Sequence, residues 1–131
     1  MISAGQITTI LVVDDSRTSR MIMKQCLEII GFQGRVFKEA DNGRDALELL
    51  KENTFELVVS DLNMPLMDGE VLLSEIRKNS KWNHIPFIMV TSSSNDAREK
   101  NLRQLGANAV ISKPLNPMAL SAVWKAISGA K

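Results

Sequence analysis

Two apolar runs in this 131-residue chain end in aspartate, and two more end in a threonine and a lysine. Ile10-Leu11-Val12-Val13 leads into Asp14-Asp15, and Leu57-Val58-Val59-Ser60 into Asp61. Ile88-Met89-Val90 leads into Thr91, and Val110-Ile111-Ser112 into Lys113-Pro114. If these runs are parallel strands of one sheet, their carboxyl ends share an edge, where open α/β sheets build their ligand crevice. Two carboxylates about 5 Å apart repel by roughly 3 kcal/mol at an effective dielectric of about 20. Three are tolerable only if some take up protons or a cation sits among them. Oxygen donors suit a hard ion, and Mg²⁺ held by one or two carboxylates plus waters is the usual intracellular choice. Ca²⁺ wants more ligands than this cluster offers. A strand-end carboxylate such as Asp61 beside a metal can attack phosphorus. Lys113 would supply a compact positive charge to the phosphoryl oxygens and Thr91 a hydroxyl donor.

This chemistry depends on elements that carry the strand ends to one place. Apolar runs at about 8–13, 34–39, 55–60, 85–90 and 108–112 alternate with segments of helical period. The first, third and fourth are continuous, as in strands buried on both faces, whereas the second alternates and suits an edge. Helix one follows Ser16 as N-cap, carries Ile22, Cys26, Ile29 and Ile30 on one face, and stops at Gly31. Helix two, about 43–53, gathers Ala46, Leu49 and Leu50. Asp68-Gly69 opens helix three, with Val71, Leu72 and Ile76 inward. Asn95 or Asp96 opens helix four, with Ala97, Leu102 and Leu105 inward and Arg98, Lys100 and Arg103 outward. Helix five has Pro117 in its first turn and Leu120, Val123, Trp124 and Ile127 on one face. The alternation implies right-handed crossovers and a doubly wound, flavodoxin-like (βα)5 parallel sheet of order 2-1-3-4-5. That order sets the first and third strands side by side and brings Asp14, Asp15 and Asp61 together.

Composition narrows the classes of function. Hydrophobic residues make up 44% of the chain and charged residues 24%, ordinary values for a soluble domain. A net charge of +1 provides no global field toward nucleic acid or an anionic membrane. The lone Cys26 reads as core filler, and no apolar stretch is long enough for a signal segment or a membrane span. The expectation is one cytoplasmic domain over 1–131, with its core at about 8–127, acting as a monomer. Gly-x-Gly-x-x-Gly and the P-loop pattern are absent, which disfavours a nucleotide-binding module. His84 reads as a loop residue at the edge opposite the cluster, and Met64 and Met67 as packing. Trp82 and Trp124 are placed away from the site.

Asp14-Asp15, Asp61, Thr91 and Lys113-Pro114, in that order, resemble the receiver domain of two-component response regulators. The stretch from Ser60 to Gly69 is similar to the stand-alone, CheY-like type, and the likeness covers about 8–127. The resemblance implies that Asp61 accepts a phosphoryl group from a histidine kinase or phosphotransfer protein. It further implies Mg²⁺ ligated by Asp15 and Asp61, by the backbone carbonyl of Asn63, and by Asp14 through water. Thr91 would turn to the phosphoryl group, Ser92 would offer an amide, Lys113 would pair with another oxygen, and the bond before Pro114 would be cis. The output would be phosphorylation-dependent binding of an effector to the helix 4, strand 5 and helix 5 face, with chemotaxis as its setting. Such a protein is not an enzyme beyond its own phosphorylation and dephosphorylation.

One position departs from the resemblance. Many receivers carry Tyr or Phe three residues before the strand-five lysine, and here Val110 stands there. The signal would then pass mainly through the Thr91 loop and helix four. Moving a switch from about 1% to 99% active requires roughly 5.5 kcal/mol, and a phosphoryl group adding up to about two negative charges would supply much of it through Thr91 and Lys113. Asn63 and Ser93, small and polar, would leave water a path to a short-lived phosphoryl aspartate. Two alternatives remain open: a phosphorelay shuttle or phosphate sink with no effector of its own, and an aspartate-nucleophile phosphatase. The latter usually needs a second acid two residues on, where this chain has Asn63.

Overall fold

A continuous apolar strand has no polar face to turn outward, so it is stable only with helices on both sides. The computed structural model describes residues 4–93 and 95–129, and the ends of the expected 1–131 span lie outside the described residues. It contains β1 (Thr9–Val13), α1 (Arg17–Leu27), β2 (Val36–Ala40), α2 (Gly43–Glu52) and β3 (Leu57–Asp61). These are followed by α3 (Gly69–Lys78), β4 (Phe87–Thr91), α4 (Asp96–Gln104), β5 (Ala109–Ser112) and α5 (Pro117–Ser128). All strand pairs are parallel and the order is β2-β1-β3-β4-β5, the flavodoxin-like arrangement expected from the alternation.

The pleat divides the core in two. Leu11, Val13, Val58, Phe87, Met89 and Val110 face Ala46, Leu50, Leu72, Leu73, Ile76 and Leu102 of α2, α3 and α4. Ile10, Val12, Leu57, Val59, Ile88 and Ile111 face Met23, Cys26, Leu27, Leu120 and Trp124 of α1 and α5. There Phe32 meets Trp124 edge-on, with ring centroids 5.2 Å apart. Each fully buried aliphatic side chain contributes about 1.5–3 kcal/mol. Met64, Met67 and Trp82 pack against the first cluster.

Several helix faces differ from the periodic reading. Met23, Cys26 and Leu27 are the buried residues of α1, whereas Ile22 and Ile29 are exposed. The buried stripe runs through Met23, Cys26 and Leu27 at i, i+3, i+4 spacing, which leaves Ile22 and Ile29 beside it, and the helical geometry breaks at Gly31, whose φ is 125°. Val71 is exposed, and Leu73 takes its place in the core. In α4 only Leu102 is buried. Ala97, in the first turn, faces solvent, and Leu105 lies beyond the helix end and is exposed. Strand β4 begins at Phe87 rather than 85, because Pro86 has no N–H for a ladder and offers only its carbonyl, to the Val58 amide.

Every strand is followed by a helix, so all five helix N-termini gather at the carboxyl edge. Each is capped by a side chain just before it: Ser16, Asn42, Asp68, Asn95 and Asn116 each accept from the amide three residues on. At the opposite edge Arg77 donates to the carbonyls of Gly106 and Ile85 and to the Asn108 side chain, tying α3 to the starts of β4 and β5. His84 is exposed on that same side, just before β4.

The segment after β3 turns back tightly. Leu66 takes a left-handed φ of 65°. The Gly69 amide donates to the Leu62 carbonyl at 2.8 Å, and the Gly43 amide to the Met67 carbonyl at 2.9 Å. A Cβ on Gly69 would collide with the Asp61 carbonyl oxygen and the Leu62 Cα, backbone atoms at the base of the acidic cluster. We predict that Gly69→Ala costs about 1–3 kcal/mol in urea denaturation, as over-packing does. Gly69→Ser should cost at least as much, and an unchanged midpoint for both would show that α3 can retreat.

Candidate functional site

Register determines which residues meet at the carboxyl edge. Val13 pairs with Ser60, Asp61 with Val90, and Thr91 with Ser112. Asp14 therefore stands one residue past β1, beside Asp61 at the end of β3. Asp14, Asp15 and Asp61 each offer a carboxylate oxygen, and these oxygens lie within 4.8 Å of one another. Asp14 is fully buried, Asp61 is 5% exposed, and Asp15 faces solvent.

One cation answers this charge. Lys113 Nζ lies 3.1 Å from Asp14 Oδ2 and 3.2 Å from Asp61 Oδ1. The lysine stands one residue past β5, and its four-carbon stem carries the ammonium past the end of β4 to Asp61 and on toward Asp14 after β1. The peptide bond between Lys113 and Pro114 is cis, as the resemblance implies. Asp14 has little freedom left. Its Oδ1 accepts from the Ser16 amide at 2.9 Å, its amide donates to the Ala40 carbonyl at 3.1 Å, and its own carbonyl accepts from Arg20 Nη1 at 2.7 Å.

Burial, followed by the negative charge of Asp14, raises the pKa of Asp61, while Lys113 and the Leu62 amide oppose the rise without cancelling it. Burial pulls the Lys113 ammonium down, but its hydrogen bonds and attraction to Asp14 and Asp61 outweigh this and leave its pKa raised. Asp14 and Asp61 share one ammonium and Asp15 adds a third carboxylate beside them, so acidic groups outnumber the cation in a site walled by apolar strands. Hard oxygen donors of this kind fit a divalent cation, with Asp15 open to solvent as the accessible ligand.

The remaining expected site residues lie around the same edge. Thr91 is fully buried at the end of β4, and its Oγ1 accepts from the Ser93 amide at 3.1 Å. Its carbonyl accepts from the Lys113 amide at 2.8 Å, linking the two loops directly. Ser92 and Asn63 are exposed in the loops after β4 and β3. Val110 is buried within β5 on the face covered by α4, away from the carboxylates.

A model of the response regulator receiver domain matches residues 10–125. The chain belongs to that family. It is 40% identical over 111 residues to chemotaxis protein CheY-3 of Vibrio cholerae, covering 85% of this chain and 84% of that one. It is 35% identical to chemotaxis protein CheY1 of Helicobacter pylori, covering 92% and 96%. Among solved structures, the chemotaxis response regulator CheY4 of Vibrio cholerae matches at a TM-score of 0.80 and 27% identity, covering 92% and 98%. The Mn²⁺-bound form of response regulator Rcp1 matches at 0.72 and 25%, covering 93% and 90%. Among the described residues, no helix of this receiver chain is long and apolar enough to cross a membrane.

Three features of the receiver site were missed by the sequence reading. Gly43 and Gly69 serve as backbone anchors, and Arg20 contacts the main chain of Asp14. A glycine at a helix start gives a weak cue, and an arginine one turn into α1 gives none until β2 is known to lie beside it. The expected outward charges on α4 are confirmed as a surface, though Arg98 also pairs with Glu70 of α3 at 2.8 Å and Arg103 with Glu99 at 3.4 Å.

The cluster has opposite consequences for its two signs of charge. A raised Asp61 pKa means that the folded chain holds a proton the unfolded chain has released. Stability contributed by that proton is lost as pH rises from the ordinary carboxylate range through the raised value. Asp61→Asn should therefore raise Tm at neutral pH without divalent cation, by a few degrees for an effect on the order of 1 kcal/mol. Lys113 behaves conversely: its contribution is full below the ordinary lysine range and is lost as pH rises through its raised value. Lys113→Ala leaves Asp14 and Asp61 without their cation and should cost about 2 kcal/mol, less than a deeply buried pair because Lys113 keeps some solvent contact. Equal Tm values for the wild type and both variants would show the cluster to be electrostatically neutral.

Proposed function

We propose that this chain is a stand-alone cytoplasmic response regulator whose Asp61 accepts a phosphoryl group from a histidine kinase or phosphotransfer protein in a Mg²⁺-dependent reaction. The observation that carries this reading is Asp61 at a strand end, within one carboxylate span of Asp14 and Asp15 and 3.2 Å from Lys113. Asp15 and Asp61 would ligate Mg²⁺ directly, joined by the Asn63 carbonyl. Both Asp14 oxygens are occupied, by the Ser16 amide and by Lys113, which favours its acting through water. When bound, Mg²⁺ neutralises phosphoryl oxygens and relieves the repulsion among the carboxylates.

In transfer, an Asp61 carboxylate oxygen attacks phosphorus as the bond to the donor's imidazole nitrogen breaks, and the imidazole leaves with the electron pair. Lys113 moves from pairing with Asp61 to pairing with a phosphoryl oxygen. The Thr91 hydroxyl accepts from Ser93, so its proton remains available to a second oxygen, while the Ser92 amide can serve a third. Because the Lys113 amide is bonded to the Thr91 carbonyl, a shift in one loop is felt in the other. Thr91 leads into α4, which only Leu102 holds in the core, and this light seating supports the α4–β5–α5 face as the effector surface. The relatives named for chemotaxis support that pathway as the setting, and the proposed acting species is a monomer.

Val110 supports a second reading. With no aromatic ring on β5 beneath α4, the fold equally suits a phosphate sink that returns its phosphoryl group to water without engaging an effector.

Intact mass after incubation with Mg²⁺ and acetyl phosphate or phosphoramidate tests the proposal. We expect a labile gain of one phosphoryl group, abolished by chelation and by Asp61→Asn. Lys113→Ala and Thr91→Ala should retain the gain while losing any phosphorylation-dependent change in the α4 region seen by hydrogen exchange. No gain from either donor, with protein folded and Mg²⁺ in excess, would remove phosphoryl acceptance as the function.

A further inference from the structure

Asp14 and Asp61 are held in place by Lys113, but Asp15 is not. Among the described residues its carboxylate has no hydrogen bond or ion pair, so its direction depends on the backbone that carries it. The Asp14–Asp15 peptide has its carbonyl oxygen 2.7 Å from Arg20 Nη1. Arg20 is aimed from its far side: its Nε lies 2.9 Å from Glu39 Oε1, and Lys24 Nζ lies 2.9 Å from Glu39 Oε2. The cations pull the pKa of Glu39 down, Lys24 foremost and Arg20 next, so the anchoring carboxylate stays ionised. The result is a continuous chain of contacts from Lys24 through Glu39 and Arg20 to the peptide that orients Asp15.

We propose that Arg20 is a positioning residue for the cation site: gripped by Glu39, it holds the Asp14–Asp15 peptide so that the exposed Asp15 carboxylate points at Asp61. It touches neither cation nor phosphoryl group. The inference rests on the Mg²⁺ site proposed above, and it makes a prediction opposite in sign to simple electrostatics. A positive charge near a cation site repels the cation, so removing it should tighten binding. A positioning role makes the same removal weaken binding. A planar guanidinium can donate to the carbonyl and the carboxylate at once, whereas an ammonium on a shorter reach keeps the charge but not the fork.

The test is Mg²⁺ titration by calorimetry on wild type, Arg20→Gln and Arg20→Lys, with thermal melts confirming that each is folded. We expect both variants to bind about tenfold more weakly, the loss typical when a group that orients a ligand is removed. Phosphorylation by acetyl phosphate should recover in both once Mg²⁺ is raised to saturation. Tighter binding by Arg20→Gln, or wild-type binding by Arg20→Lys, would overturn the positioning role and leave Arg20 as a charge alone. Should the wild type itself bind no Mg²⁺, the cation site falls and this inference falls with it. If one variant fails to fold, the other decides the question by the same criteria.

Discussion

A single lysine ammonium stands between two buried carboxylates, and the rest of the carboxyl edge is organised around that unequal match. Asp14 and Asp61 are brought to adjacent strand ends by a parallel sheet that covers them with apolar side chains, where charge is costly. Lys113 reaches both but neutralises only one unit of charge, and Asp15 adds a third carboxylate. A fold satisfied with its own electrostatics would have matched these charges or left them in water. This one retains an excess that a cation and a phosphoryl group together could balance, which links the electrostatic stress of the resting protein to the proposed chemistry.

The rigidity needed to sustain this stress comes from the main chain. The Asp14 amide is bonded to Ala40, its carbonyl to Arg20, and the loop after Asp61 is pinned through Gly43 and Gly69. Gly69 allows α3 to start against the Asp61 carbonyl itself, closer than any side chain would permit. By contrast, α4 is lightly seated, with Leu102 its only buried residue and Arg98 bridged to Glu70 at its first turn. The acidic loops are thus tied down by several main-chain hydrogen bonds, whereas the helix after Thr91 is seated on one leucine and one ion pair. The hydrogen bond from the Lys113 amide to the Thr91 carbonyl joins the two loops directly.

Where the sequence was misleading, the cause was geometric. The inward faces of α1, α3 and α4 were read from ideal helical periodicity, and Ile22, Ile29, Val71, Ala97 and Leu105 are exposed instead. In α1 the buried stripe passes through Met23, Cys26 and Leu27 and leaves Ile22 and Ile29 on its flank, and α4 touches the sheet along a narrow line that one leucine fills. Periodicity reports which side chains could share a face. It cannot report how wide a strip the neighbouring element covers.

Continuous apolar runs alternating with helical segments determined the parallel α/β architecture by themselves, because such strands have no other way to be buried. The aspartates, threonine and lysine that close those runs also determined which residues could share the edge, since strand polarity places every carboxyl end on one side. What only the tertiary structure decided is how those residues are held. Lys113 bridges Asp14 and Asp61 from beyond β4, and Arg20 of α1, braced by Glu39 of β2, donates to the Asp14 carbonyl. These contacts join residues far apart in the chain through atoms whose separation depends on sheet order, twist and side-chain reach. Local sequence constrains none of these.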